Sequence, residues 1–91
     1  MDNNFYLYIL ESEKDQRFYI GQTEDLVGRL NAHQRGSVRS TKNRRPLRLV
    51  YFKSFISRSE VLKEEFRLKG YKNTKKFLDF VALNMAPSSN G

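Results

Sequence analysis

Two aromatic segments of strand length, Phe5 to Leu10 and Arg17 to Gly21, flank the polar stretch Glu11-Ser12-Glu13-Lys14-Asp15-Gln16. An unbroken apolar run of that length reads as a buried strand, and a short polar connection brings the next strand back alongside it. A hairpin centred between Glu13 and Lys14 sets Tyr8 directly opposite Tyr19, with both side chains on one face. A slip of one residue sends the two phenols to opposite faces, so any joint role for them depends on register.

The rest of the chain supplies helices and one more strand. Thr23 is placed to cap a helix whose first turn carries Glu24 and Asp25. Leu26, Leu30 and His33 recur at helical spacing, Val27 and Gln34 fall along the same side, and Arg29 flanks that stripe one turn before His33. Gly36 ends this helix. Ser37 to Pro46 is polar, basic and aperiodic and reads as an exposed loop. Leu47 to Phe55 is a third strand with Leu47, Leu49, Tyr51, Lys53 and Phe55 on one face. Ser57-Arg58-Ser59-Glu60 fits a capping box for a second helix, whose apolar arc is Val61, Leu62, Phe66 and Leu68 and which Gly70 ends or kinks. A last amphipathic helix from about Asn73 carries Phe77, Leu78, Phe80, Val81 and Leu83. The sequence thus predicts a small single α/β domain over residues 1–84, a three-stranded antiparallel sheet flanked by helices, followed by a flexible tail over 85–91.

Charge narrows the partners. The 17 Lys and Arg against 10 Asp and Glu leave a net charge of +7. No acidic residue lies between Asp25 and Glu60, while that interval carries Arg29, Arg35, Arg39, Lys42, Arg44, Arg45, Arg48, Lys53 and Arg58. Such a field attracts a polyanion and makes its binding salt-dependent, although it also serves solubility. Arg35, Arg39, Lys42, Arg44 and Arg45 are the candidate phosphate contacts, and charge alone does not separate DNA from RNA. The absence of cysteine excludes disulfides and cysteine–zinc sites, and a single histidine, His33, excludes a polyhistidine metal site. Without a long apolar run, no membrane span or signal peptide is expected, which makes a soluble cytoplasmic protein the default.

Glu65 is a carboxylate in an unusual place. On a helical wheel it falls within the arc of Val61, Leu62, Phe66 and Leu68, with Glu60 and Glu64 outside it. A carboxylate on the core side of a helix needs a cation or hydrogen bonds. A divalent metal is one solution, and an ion pair with Lys69, four residues on, is another. Taken singly, Tyr8 and Tyr19 serve equally well as strand aromatics, His33 as a half-buried helix residue and Arg29 as a surface charge.

Together these residues resemble a known pattern. Tyr19-Ile20-Gly21 reproduces the second tripeptide of the GIY-YIG nuclease superfamily, and Tyr6-Leu7-Tyr8 is a degenerate form of the first, lacking its glycine. The family's helical arginine and the histidine or tyrosine one turn later correspond to Arg29 and His33. The resemblance runs from about Phe5 to Lys76 and is closest to small stand-alone bacterial members, more distantly to the N-terminal nuclease domain of the bacterial excinuclease. In those small proteins the metal-binding glutamate lies in a segment similar to Arg58–Gly70, which implies Glu65. An accessory asparagine also found in many members has Asn73 and Asn84 as candidates, and neither spacing assigns it.

The resemblance implies a Mg²⁺- or Mn²⁺-dependent endonuclease acting on DNA, structure- or damage-directed in repair or recombination, with a monomer favoured. Its catalytic residues would be Tyr8, Tyr19, Arg29, His33 and Glu65. Tyr8 would be the general base or water-positioning group, its pKa lowered by Arg29 and the metal. Tyr19 and His33 would orient water and phosphate or relay the proton. The alternative is a nucleic-acid-binding module of the same fold without catalysis.

Overall fold

The hairpin forms, with a register two residues away from the expected one. In the computed structural model, which describes residues 4–72 and 74–85, β1 (Phe5–Ser12) and β2 (Phe18–Thr23) are antiparallel. Tyr8 faces Gly21, and Tyr19 faces Leu10. The tyrosines are therefore diagonal neighbours rather than direct partners. Side chains alternate with period two, so a shift of two preserves the face, and both phenols still lie on the same side. The turn explains the shift. The backbone N–H of Gln16 bonds to the carbonyl of Ser12 with Gln16 at φ 60°, and the fully buried Ser12 hydroxyl accepts from Lys14 N–H at 3.1 Å and Asp15 N–H at 3.3 Å. The turn is tied to Ser12 and centres between Lys14 and Asp15.

The third strand, β3 (Leu47–Phe55), pairs antiparallel with the other edge of β1, which gives the order β2-β1-β3. The central position of β1 accounts for its continuous apolar run: Leu7, Tyr8, Ile9 and Leu10 are all buried. The expected single apolar face of β3 does not occur. Ile9 pairs with Tyr51 and Leu10 with Leu49, so Val50 is an extra residue in β3. This bulge switches the alternation. Leu47 and Leu49 pack with Tyr8 and Leu10, whereas Val50, Tyr51 and Phe55 pack with Leu7 and Ile9 on the other face.

Helices cover both faces. The first, α1 (Leu26–Arg35), rests Leu26 and Leu30 on the Tyr8 face. Its N-cap is Asp25, whose carboxylate accepts the Gly28 N–H at 3.1 Å, rather than Thr23, whose hydroxyl instead accepts from Asp25 N–H. Val27, expected on the packed side, is 71% exposed. Gly36 ends α1 at φ 82°, a left-handed conformation that glycine takes without strain.

The other face carries α2 (Arg58–Gly70) and α3 (Lys75–Met85). Ser57 caps α2 by accepting the Glu60 N–H, as expected. The apolar arc of α2 is narrower than the wheel suggested. Val61 and Leu68 are fully buried, Leu62 is substantially exposed and Phe66 is 83% exposed. Phe77 and Val81 anchor α3 in the same core, with the Phe77 ring edge-on to Phe18 at 5.2 Å, while Leu78 and Leu83 face outward. Asn73 and residues 86–91, and with them most of the expected tail, lie outside the described residues. Among the described residues no helix is long and apolar enough to cross a membrane.

Candidate active site

Gly21 makes room for the first member of the site. Because Gly21 stands opposite Tyr8, a Cβ there would lie 2.7 Å from the Tyr8 hydroxyl oxygen, 2.8 Å from Tyr8 Cζ and 2.9 Å from Tyr19 Cε2. The glycine of the Tyr-Ile-Gly tripeptide is thus the space that the Tyr8 phenol occupies. Gly21→Ala forces both rings to move and is expected to cost roughly 1–3 kcal/mol, read from urea unfolding midpoints at constant slope.

Tyr8, Tyr19 and His33 form a triangle of rings on the α1 face. The centroid separations are 6.1 Å for Tyr8–Tyr19, 5.6 Å for Tyr8–His33 and 5.1 Å for Tyr19–His33. The β1–β2 register supplies the tyrosines. His33 projects from the C-terminal half of α1 and is buried, at 1% exposure. Its Nε2 lies 2.9 Å from the Tyr8 hydroxyl. Arg29, one turn earlier, donates its Nε–H to the same hydroxyl oxygen at 3.4 Å. Four of the five expected catalytic residues thus meet at one place, joined through Tyr8.

A further residue joins them that sequence reasoning did not single out. His33 Nδ1 lies 2.8 Å from the hydroxyl of Thr41, which is fully buried. The loop from Ser37 to Pro46 is therefore not wholly exposed: Val38 is also buried, and Lys42–Arg44 form a 3₁₀ turn. Nothing periodic marks Thr41 in the sequence, because it reaches His33 through a loop.

Burial and charge act against each other at Tyr8. Burial pushes the Tyr8 phenol up to about 12, outweighing the hydrogen bond and charge of Arg29, which act downward. With Arg29 as the cation beside it, the phenolate is therefore disfavoured at neutral pH; the expected lowering called on Arg29 and a metal together. Burial, with the neighbouring Arg29 charge adding to it, pulls His33 down to about 4. The imidazole is therefore neutral at pH 7 and keeps a free lone pair.

The depressed histidine makes stability pH-dependent. Its folded pKa lies below the unfolded value of about 6.5, so the unfolded chain binds more protons between those pH values. The contribution is complete above pH 6.5 and is lost as pH falls through 4, on the order of 3 kcal/mol in all. Urea unfolding at pH 7, 5.5 and 4.5 should show this decline, and His33→Gln should flatten it.

Glu65 is held separately. It projects from α2, on the opposite face of the sheet, and its side chain retains 15% exposure. Oε2 pairs with Lys69 Nζ at 2.9 Å, and Oε1 accepts from Gln22 Nε2 at 3.4 Å. Gln22 follows Gly21 in the edge strand β2, so Glu65 lies against that strand on the face opposite the phenols. No hydrogen bond among the described residues links Glu65 to Tyr8, Tyr19, Arg29 or His33. The wheel's separation of Glu65 from Glu64 does not hold, since Glu64 is 20% exposed and paired with Arg67 at 2.6 Å. What distinguishes Glu65 is its place beside β2 in a cleft shared with Leu62, Phe66 and Lys69.

No group of three or more His, Cys, Asp or Glu side chains able to hold a metal occurs among the described residues. At Glu65 the hard oxygen donor is the carboxylate itself, on an open cleft, with the Gln22 amide N–H and the Lys69 ammonium turned toward it. A single carboxylate fits a hydrated Mg²⁺ or Mn²⁺ ion, which keeps most of its waters and needs few protein ligands, once Lys69 releases it.

The expected phosphate contacts divide into two groups. Arg35, Arg39 and Lys42 are exposed on the end of α1 and the following loop. Arg45 is exposed but folded back onto that loop, donating to Lys42 O at 2.9 Å and Gln34 O at 3.3 Å over Gly36. Arg44 is half-buried, and its Nε has no partner among the described residues. Burial, followed by the charges of Arg44, Lys69 and Arg17, pulls the pKa of Lys72 down, which marks a concentration of cations beside β2. Lys72, which donates to the Phe18 carbonyl at 3.1 Å, had no signal in the sequence.

The profile of the GIY-YIG catalytic domain matches residues 4–77, and the chain belongs to that nuclease-domain family. It is 41% identical over 70 residues to the UPF0213 protein OB0043 of Oceanobacillus iheyensis, covering 76% of this chain and 80% of that protein. A UPF0213 protein of Streptococcus pneumoniae is 38% identical over 77 residues, covering 84% of this chain and 77% of its own length. The solution structure of the UPF0213 protein BH0048 from Bacillus halodurans superposes with a TM-score of 0.62 at 34% identity, covering 92% of this chain and 88% of that one. The fold and the small bacterial kinship expected from the tripeptides are both present.

Proposed function

We propose that this protein is a divalent-metal-dependent endonuclease that cleaves DNA phosphodiester bonds, acting in the cytoplasm on branched or damaged DNA in repair or recombination. The observation that carries the reading is the convergence of Arg29, Tyr8 and His33 through hydrogen bonds at the Tyr8 hydroxyl. Each group has a use in phosphodiester hydrolysis. Arg29 stays protonated and presents a fork of donors to the phosphate as negative charge accumulates on it. The Tyr8 oxygen accepts a proton from the attacking water while its own proton passes to the neutral His33 Nε2. In this relay the phenol never has to ionise in advance, which suits a group whose pKa burial raises to about 12. A new P–O bond forms to the water oxygen, the bond to the leaving oxygen breaks, and the leaving oxygen takes its proton from solvent. Tyr19, against both rings, holds the water and phosphate in place.

Glu65 would hold the metal, with Lys69 yielding its ion pair. A bound Mg²⁺ or Mn²⁺ would supply Lewis-acid stabilisation of phosphate oxygens. Arg35, Arg39 and Lys42 provide contacts to the DNA backbone, with Arg44 and Arg45 shaping the loop that carries them. A domain of this size favours recognition of shape and backbone over sequence.

A binding module is the second reading, favoured by the existing Lys69–Glu65 pair and the firmly protonated Tyr8. Incubation with supercoiled plasmid and a four-way DNA junction separates the two. Cleavage with Mg²⁺ or Mn²⁺ that EDTA abolishes is the expected result. Salt-sensitive binding to the junction without cleavage in any metal would instead establish the binding module.

A further inference from the structure

We infer that Thr41 is a positioning residue of the site, holding His33 as the Nδ1–H tautomer so that Nε2 faces Tyr8 as a proton acceptor. The proposal rests on the catalytic reading for its use, while its structural content stands independently of it.

Donor chemistry favours one direction for the hydrogen-bond chain Arg29–Tyr8–His33–Thr41. The Arg29 Nε can only donate, and it donates to the Tyr8 oxygen. The imidazole is neutral, so one of its nitrogens donates and the other accepts. If Nε2 carried the proton, the Tyr8 oxygen would receive two donors, and its own proton would be left to the Tyr19 hydroxyl, whose hydrogen bond is the smallest of the influences on Tyr8. If Nδ1 carries it, every bond runs the same way: guanidinium to phenol, phenol to Nε2, and Nδ1–H to the Thr41 hydroxyl at 2.8 Å. Bonds aligned head to tail polarise one another, and a cationic donor at the head makes the phenol a stronger donor. The proton left over belongs to the buried Thr41 hydroxyl at the chain's far end, for which the described residues offer no partner besides the ring.

The fold holds Thr41 in place. It is fully buried, its N–H bonds to Val38 O at 3.1 Å, and its carbonyl accepts the Arg44 N–H at 2.9 Å. The loop that carries the basic side chains toward a phosphate backbone therefore also carries the group that orients the histidine.

The test is the tautomer itself, read from two-bond ¹H–¹⁵N correlation spectra of uniformly ¹⁵N-labelled full-length protein, in which His33 is the sole histidine. The wild type is expected to show Nδ1 protonated and Nε2 bare at pH 7. Thr41→Val removes the acceptor and should shift the ring toward Nε2–H, whereas Thr41→Ser should retain the wild-type pattern. Single-turnover cleavage should fall roughly 10–100-fold in Thr41→Val, by analogy with partners that orient metal-ligating histidines, and recover in Thr41→Ser. A wild-type ring with Nε2 protonated overturns the proposal, even if every variant fails to fold. So does a folded Thr41→Val protein with an unchanged tautomer. Absence of cleavage in the wild type would remove the nuclease reading and leave the tautomer result to stand or fall by itself.

Discussion

Tyr8→Phe is expected to lower the single-turnover rate of DNA cleavage by about 10²–10⁴-fold, the range over which a positioned proton-transfer group acts. The substitution keeps the ring that fills the space opposite Gly21 and so leaves the core intact. It removes the one oxygen through which Arg29 and His33 are joined. Affinity for uncleaved DNA should barely change, since the exposed Arg35, Arg39 and Lys42 that would contact the backbone are untouched. Stability should fall by about 1–3 kcal/mol, because the buried histidine loses a partner. A rate within about threefold of wild type, far short of the loss expected from a proton-transfer group, would show that Tyr8 is a core aromatic and nothing more. Comparing rates in Mg²⁺ at pH 7 with circular dichroism and junction binding separates these outcomes.

Arg29→Ala should produce a loss of about 10²–10³-fold in rate, comparable to removing one preorganised donor from a developing negative charge. Arg29→Lys keeps the charge but not the planar fork and should recover only part of it. Removing the arginine also relieves one of the two influences that depress His33, so the histidine pKa should rise from about 4 toward its ordinary value without reaching it, burial being the larger cause. An NMR titration of His33 in Arg29→Ala checks that shift without any cleavage assay. Little change would mean that the Arg29 charge does not lie close enough to the ring to act on it.

Much of this arrangement was legible in the chain. The hairpin, the helix carrying Arg29 and His33, and the capped helix carrying Glu65 follow from local pattern, because each is encoded by neighbours a few residues apart. The register was not, since alternation of side chains cannot distinguish pairings that differ by two residues. That choice belongs to the turn at Ser12 and Gln16 and to the empty space at Gly21. The β3 bulge was hidden for another reason. Leu49, Val50, Tyr51 and Phe52 are all apolar, so no polar residue marks where the faces exchange.

The wheel misread α2 because apolar identity does not compel burial. Val61 and Leu68 alone seat the helix, and Phe66 is left in solvent. Glu65 therefore owes its candidacy to its position at the β2 edge rather than to an apolar surround. Thr41 was invisible because its partner is reached by the path of a loop, and the upward pull on the Tyr8 pKa was invisible because sequence shows the nearby arginine but not the depth of burial.

The central claim is that the residues on the α1 face and Glu65 at the β2 edge act on one phosphate. A double-mutant cycle tests it: single-turnover cleavage of the DNA junction in Mg²⁺ by wild type, Arg29→Ala, Glu65→Gln and the double variant. Residues that serve one transition state are strongly non-additive. Each single variant is expected to lose about 10²–10³-fold in rate. The double variant is expected to be little worse than the poorer single one. A Glu65→Gln protein that cleaves like wild type, or a double variant whose loss is the full product of the two, would contradict it.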